Sequence, residues 1–147
     1  MIRVNMKEIR GSEILAGALA GRDVLAKLVQ SIPTNVADPT ALYLDFADVE
    51  VATASFLRES LVSFRDIVRR GHPLLYPVVA NANPAVREEI LELLRTLPGA
   101  FIACTVTEDG EAEDVTLIGN LDLKQRITFE LVEKLGKADA GQLSRDH

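Results

Sequence analysis

A chain of 147 residues suits one ordinary domain, which at this size buries roughly 70% of the surface its unfolded form exposes and needs no disulfide staple. Its 48% hydrophobic and 26% charged residues describe a folded globule, and the single cysteine, Cys104, excludes an intrachain disulfide or a cysteine zinc cluster. A net charge of -6 argues against autonomous nucleic-acid binding and against anionic membrane surfaces, and no apolar run reaches the roughly 18 residues of a spanning helix. A reducing, cytoplasmic location is the expectation that follows.

The first segment, residues 2–6, sets Ile2, Val4 and Met6 in alternation with Arg3 and Asn5, the pattern of a half-buried edge strand. Residues 11–20 are rich in small side chains and ambiguous. Arg3, Lys7 and Arg10 ahead of residues 14–20 loosely imitate a secretory signal, but Gly17 interrupts the apolar stretch and Glu8 and Glu13 precede it, so no cleavage is expected. From Arg22 onward Leu25, Leu28, Val29 and Ile32 recur at helical spacing up to Pro33, predicting a helix over about 21–32.

Residues 41–46 are apolar on both faces except at Asp45, as a strand covered on each side would be, and are expected at the middle of the sheet. Phe56, Leu57, Leu61, Phe64 and Val68 then keep helical spacing over about 54–70, closing on Arg69, Arg70 and Gly71. The apolar run 74–80 contains Pro77, whose missing N–H suggests an edge or bulged strand. Asn83 and Pro84 open a third helix that carries Val86, Ile90, Leu93, Leu94 and Leu97 on one face and stops at Pro98 and Gly99.

Residues 101–106 form the next predicted strand, and Asp109-Gly110 is a turn signal that folds it back on a fifth strand near 115–118. Beyond Gly119, Asp122 is placed to cap a last helix with Ile127, Leu131, Val132 and Leu135 on its apolar side and Gly136 as its stop. Regular alternation of strand and helix predicts an α/β domain: a four- to five-stranded mixed, mostly parallel sheet with about four helices. The organisation expected is a domain over 1–120 followed by a C-terminal helix and tail over 121–147.

Asp45, Phe46 and Val49, followed by the small-residue turn at Thr53, Ala54 and Ser55 and then by Phe56 and Glu59, resemble the core motif of the STAS superfamily of sulfate transporters and anti-sigma factor antagonists. The nearest likeness is to its STAS-like family of unknown function, over roughly residues 15–97. That resemblance implies a regulatory, non-enzymatic domain that binds a signalling protein, such as a kinase-like ATPase, through the turn and helix at Thr53, Ser55, Arg58 and Glu59. In the antagonists this turn carries a phosphorylated serine, a place held here by Ala54, which leaves Ser55 or Thr53 as the phosphoacceptors to consider. A helix N-terminus would favour the phosphate, although both hydroxyls also suit plain capping.

Residues 117–143 more weakly resemble the first helix and the opening of the second in a winged helix-turn-helix. No recognition helix follows within the 147 residues, so DNA binding is not expected of this chain alone. The alternative function is the signal-sensing part of a DNA-associated transcription regulator with an incomplete winged helix. A homo-oligomer is compatible with either reading.

Other groupings point to no catalysis, no cofactor and no metal. Asp45, Asp48 and Glu50 cluster after the predicted central strand, where open α/β sheets place ligands, but extended alternation separates Asp45 from Asp48. His72 and His147 lack metal-pair spacing, and no nucleophile elbow accompanies them. Cys104 alternates with Ile102 and Val106 as a buried small hydrophobe. Arg65, Arg69, Arg70 and His72 make a basic cluster that a helix C-terminus explains by itself.

Overall fold

The computed structural model describes residues 2–119 and 129–136. Five strands form the main sheet: β1 (Ile2–Asn5), β3 (Thr40–Asp45), β5 (Leu75–Ala80), β6 (Ala100–Val106) and β7 (Ala112–Gly119), in the spatial order β1-β3-β5-β6-β7. All neighbours pair in parallel except β7, which returns antiparallel to β6. Two short strands, β2 (Ile14–Leu15) and β4 (Val51–Ala52), pair in parallel as a separate ribbon. The fold is thus α/β with a mixed, mostly parallel five-stranded sheet.

The helices are α1 (Met6–Arg10), α2 (Ala18–Gln30), α3 (Ala54–Leu57), α4 (Ser63–Gly71) and α5 (Pro84–Leu93), joined by a further helical stretch over residues 129–136. Between α3 and α4 the helix continues as one widened turn, Arg58–Val62. There Ser60 Oγ donates to the Phe56 carbonyl at 2.7 Å and Ser63 Oγ to the Arg58 carbonyl at 3.1 Å. Both hydroxyls satisfy carbonyls that a widened turn displaces from the usual ladder.

Because β1, β3, β5 and β6 are neighbours in chain order, right-handed crossovers carry α2, α3–α4 and α5 to the same face of the sheet. That face holds the larger core, where Leu42, Leu44, Val79 and Phe101 meet Val24, Leu28, Phe56, Phe64 and Ile90. The opposite face presents Ala41, Tyr43, Val78, Ile102 and Cys104, against which Phe129 and Val132 of the helix at 129–136 pack. Successive residues of β3 and β6 divide between the two clusters, the period-two rule acting on both sides of one layer.

Three expectations are corrected. The middle strand is β5, and β3 lies between it and the edge strand β1. Pro77 therefore sits in a central strand, tolerated because pairing with β6 begins one residue later, at Val78 opposite Ile102. The last strand is longer than 115–118: it spans Ala112–Gly119, with Asp114 at φ 51 and a register shift opposite Ala103 and Thr105. That shift is a bulge, in which Asp114 and Val115 together face Cys104. The expected Asp122 cap lies outside the described residues, as does the greater part of the stretch likened to a winged helix.

Candidate functional site

The carboxyl ends of the parallel strands carry a closed polar network. Asp45, fully buried at the end of β3, accepts from Arg3 Nε at 2.8 Å through Oδ2, and from Ala47 N at 2.9 Å and Asn81 Nδ2 at 3.0 Å through Oδ1. Asn81, at φ 57 just past β5, donates its backbone N–H to the Cys104 carbonyl and accepts from Val106 N through Oδ1 at 2.9 Å. One carboxylate and one amide thereby tie β1, β3, β5 and β6 together at a single level. Every lone pair spent on these bonds is one fewer for a ligand, so the network holds structure.

Asp48 and Glu50, by contrast, are exposed, and what parts Asp48 from Asp45 is not extended alternation but a turn, since β3 ends at Asp45 and the chain bends through Asp48 at φ 62. Among the described residues no three His, Cys, Asp or Glu side chains gather as a metal-binding group. Cys104 is buried, and its thiol is pushed up to about 11, first by burial and then by the field of Asp45, with Arg87 acting the other way. A thiol held so firmly protonated is a poor nucleophile.

Beside this network lies a surface junction built from two segments in register. The β2–β4 ribbon sets Ile14 beside Val51 and Leu15 beside Ala52, and the Glu13 carbonyl accepts from Glu50 N at 2.8 Å. Each strand then turns into a helix. Gly17, at φ 89, begins α2 without a side-chain cap and donates its N–H to Thr53 Oγ1 at 3.1 Å. The same hydroxyl oxygen caps α3 by accepting from Phe56 N at 3.3 Å, so Thr53 joins the two helix starts.

The four residues expected in the partner contact fall at this junction, in different settings. Thr53 is half-buried and committed to capping, with Ser55 Oγ 3.2 Å from its hydroxyl. Arg58 is exposed, whereas Glu59 is partly covered and reaches Arg22 at 3.7 Å. Gly21 packs against this stretch so closely that a Cβ there would lie 2.7 Å from the Phe56 carbonyl oxygen and 2.9 Å from Glu59 Cβ.

Sequence reasoning missed the apolar part of the junction. Leu19 is 76% exposed, Ile14 53% and Val51 46%, the three most exposed large aliphatic side chains among the described residues. The signal available was the pair Glu13-Ile14-Leu15 and Glu50-Val51-Ala52, two acid-aliphatic triplets each leading into a small-residue turn. A second surface feature is a shallow groove of about 450 Å³ between α5 and β7, lined by Pro84, Arg87, Glu88, Leu91, Leu117 and Ile118.

The expected basic cluster is divided. Arg69 and Arg70 are exposed, but Arg65 is buried, with its guanidinium 4.7 Å over the Phe101 ring and Nη2 donating to the Pro98 carbonyl at 3.2 Å. Burial and then the nearby Arg69 lower its pKa, opposed by Asp66.

Comparison with protein-family models, curated proteins and solved structures finds no match for the chain. No helix among the described residues is long and apolar enough to cross a membrane.

Proposed function

We propose that the chain is a non-enzymatic regulatory module that binds a protein partner through the β2–β4 ribbon and the two helix starts beyond it, with Thr53, Ser55, Arg58 and Glu59 in the contact. The observation that carries this reading is the exposure of Ile14, Leu19 and Val51 at one junction. Single exposed aliphatics are ordinary, but Ile14 and Val51 are register partners on the ribbon and Leu19 stands in the first turn of the helix that follows it, so a partner covering this end of the domain would gain by burying them.

The neighbouring polar groups favour binding over catalysis, because Asp45, Asn81 and Thr53 are consumed in bonds that position backbone. The likeness of residues 44–59 to the STAS core motif points the same way, toward a signalling partner such as a kinase-like ATPase. Of the two hydroxyls, Ser55 is the better phosphoacceptor, since Thr53 Oγ1 already accepts two backbone N–H groups. A phosphate on Ser55 would lie in the first helical turn, beside the positive end of the dipole.

The test uses a partner recovered with the native chain from its own cells and then purified. Leu19→Asp and Arg58→Glu are each expected to weaken the purified pair by roughly tenfold or more, with circular dichroism unchanged. Wild-type affinity in both folded variants would remove the junction as the binding surface.

A further inference from the structure

We infer that the open edge of β7 is a docking site for an extended, basic peptide segment of another protein, which joins the main sheet as an added strand. The site shares no residue with the junction at Thr53 and stands or falls independently of it.

The main sheet has two outer strands that differ in what they offer. β1 is four residues long, whereas β7 spans eight, and among the described residues no strand pairs with its outer side. Along such an edge alternate N–H and C=O groups point away from the sheet and form a template for one more strand. Lysine and proline, common guards of an edge, are absent from β7, and its bulge and both its charges lie in the stretch 112–115. Beyond them Thr116, Leu117, Ile118 and Gly119 run uncharged and in unbroken register with β6.

The register also fixes which side chains share a face at this edge. Glu113, Thr116 and Ile118 stand opposite Thr105, Ala103 and Phe101, alternate residues of β6, and so lie on the side toward α5. Arg87 Nη2 donates to Thr116 Oγ1 at 2.6 Å from that helix. The groove of about 450 Å³ opens on the same side, with Pro84 and Leu91, itself 37% exposed, as its α5 wall. A strand added outside β7 would set every second side chain over this groove, the backbone ladder holding it and the groove choosing among sequences.

Charge selects the occupant. Residues 107–119 contain no Lys, Arg or His, and Glu108, Asp109, Glu111, Glu113 and Asp114 are all exposed with no ion pair among the described residues. In the groove Arg87 and Glu88 offset each other, and the helix at 129–136, close to β7 where Gly136 meets Ala112, adds Lys134 but also Glu130 and Glu133. The edge is thus acidic at its hairpin end and apolar at Leu91 and Ile118. A complementary segment carries aliphatic side chains at one end and Lys or Arg at the other. Antiparallel pairing, the more stable kind, puts the basic residues C-terminal to the aliphatic ones. A second copy of β7 matches poorly, being acidic itself in a chain of net charge -6.

The experiment titrates the full chain into a fluorescent synthetic peptide in which valine alternates with threonine and the C-terminal end is lysine, read by anisotropy. Binding with a Kd of about 0.1 mM or tighter is expected. The same peptide ending in glutamate is expected to bind at least roughly tenfold more weakly. Of its two alternately N-methylated forms, the one whose methyl groups face β7 is expected to lose binding while the other keeps it. Glu113→Lys and Leu91→Asp, both at exposed positions, are each expected to weaken the lysine peptide by roughly tenfold with circular dichroism unchanged, and Leu19→Asp to leave it as in wild type. No binding to wild type at about 1 mM peptide overturns the inference, as do equal affinities for the lysine and glutamate peptides or for the two methylated forms. Self-association of wild type that excludes the peptide would give the edge to a second copy and overturn it as well.

Discussion

Replacing Gly21 by alanine sets two opposing effects against each other at the contact between α2 and the helix beginning at Ala54. Alanine is favoured over glycine inside a helix by about 1 kcal/mol, and Gly21 lies within α2. Its new Cβ, however, would meet the Phe56 carbonyl oxygen at 2.7 Å and Glu59 Cβ at 2.9 Å, several tenths of an ångström inside ordinary contact. The nearer obstacle is backbone and cannot rotate away, so the two helices must separate. Overpacking of this kind costs about 1–3 kcal/mol, and the packing of Val24 and Leu28 against Phe56 and Leu61 would loosen with it.

The net expectation is destabilisation of up to about 2 kcal/mol, seen as a lower urea midpoint with an unchanged slope, and as a fall of up to about 8 °C in thermal midpoint. Gly71→Ala supplies the control, since nothing lies within 4 Å of a Cβ there and the residue ends α4. That variant should be neutral or more stable by up to about 1 kcal/mol. A Gly21→Ala chain as stable as Gly71→Ala would refute the close-approach argument.

Two further perturbations test the interior. Arg65 keeps a buried Nη1 with no hydrogen-bond partner, so Arg65→Met, which retains the stem over Phe101, should change stability by less than about 1 kcal/mol or raise it, whereas Arg65→Ala should cost about 2–4 kcal/mol. Equal losses in urea unfolding would show that the charge, not the stem, is what matters there. For Cys104 the folded thiol, raised from 9.0 to about 11, binds its proton more tightly than the unfolded one. Its contribution is therefore complete below about pH 9 and lost toward pH 11, which should lower wild type relative to Cys104→Val by roughly 1–2 kcal/mol across that window, after allowance for solvent screening. A stability difference that does not change with pH would contradict the buried-thiol reading.

The long elements were legible because their periodicity is strong. Phe56, Phe64 and Val68 of the long helix, and Val86 and Ile90 of α5, mark their buried faces at helical spacing, whereas in α2 only Leu28 of the expected stripe is fully buried, Val29 is exposed, and Val24 is buried instead. The capping role of Thr53 and Asn83 was also readable, since each stands just ahead of its helix. What stayed hidden is whatever depends on pairing at a distance. A two-residue strand has no period, so Ile14-Leu15 reads alike whether Ile14 points inward or into water, and its partnership with Val51 depends on a crossover through a whole βα unit. The ion pair of Arg3 with Asp45 spans 42 positions, and Asn81 earns its place only once three strands lie around it. Pro77 misled for a related reason: the residue type rules out donating a bond, while only the register tells whether a bond was wanted.

The one-sided layering has a consequence for how the chain is made. Synthesised from its N-terminus, it can dock each new strand beside the previous one, so β1, β3, β5 and the helices between them assemble from contacts close in sequence. Among the described residues, the face bearing Tyr43, Val78 and Cys104 gains its helical cover only when residues 129–136 arrive. For an interval during translation the nascent chain carries a half-finished domain, sealed on one side and oily on the other, and that interval is when it has most need of a chaperone.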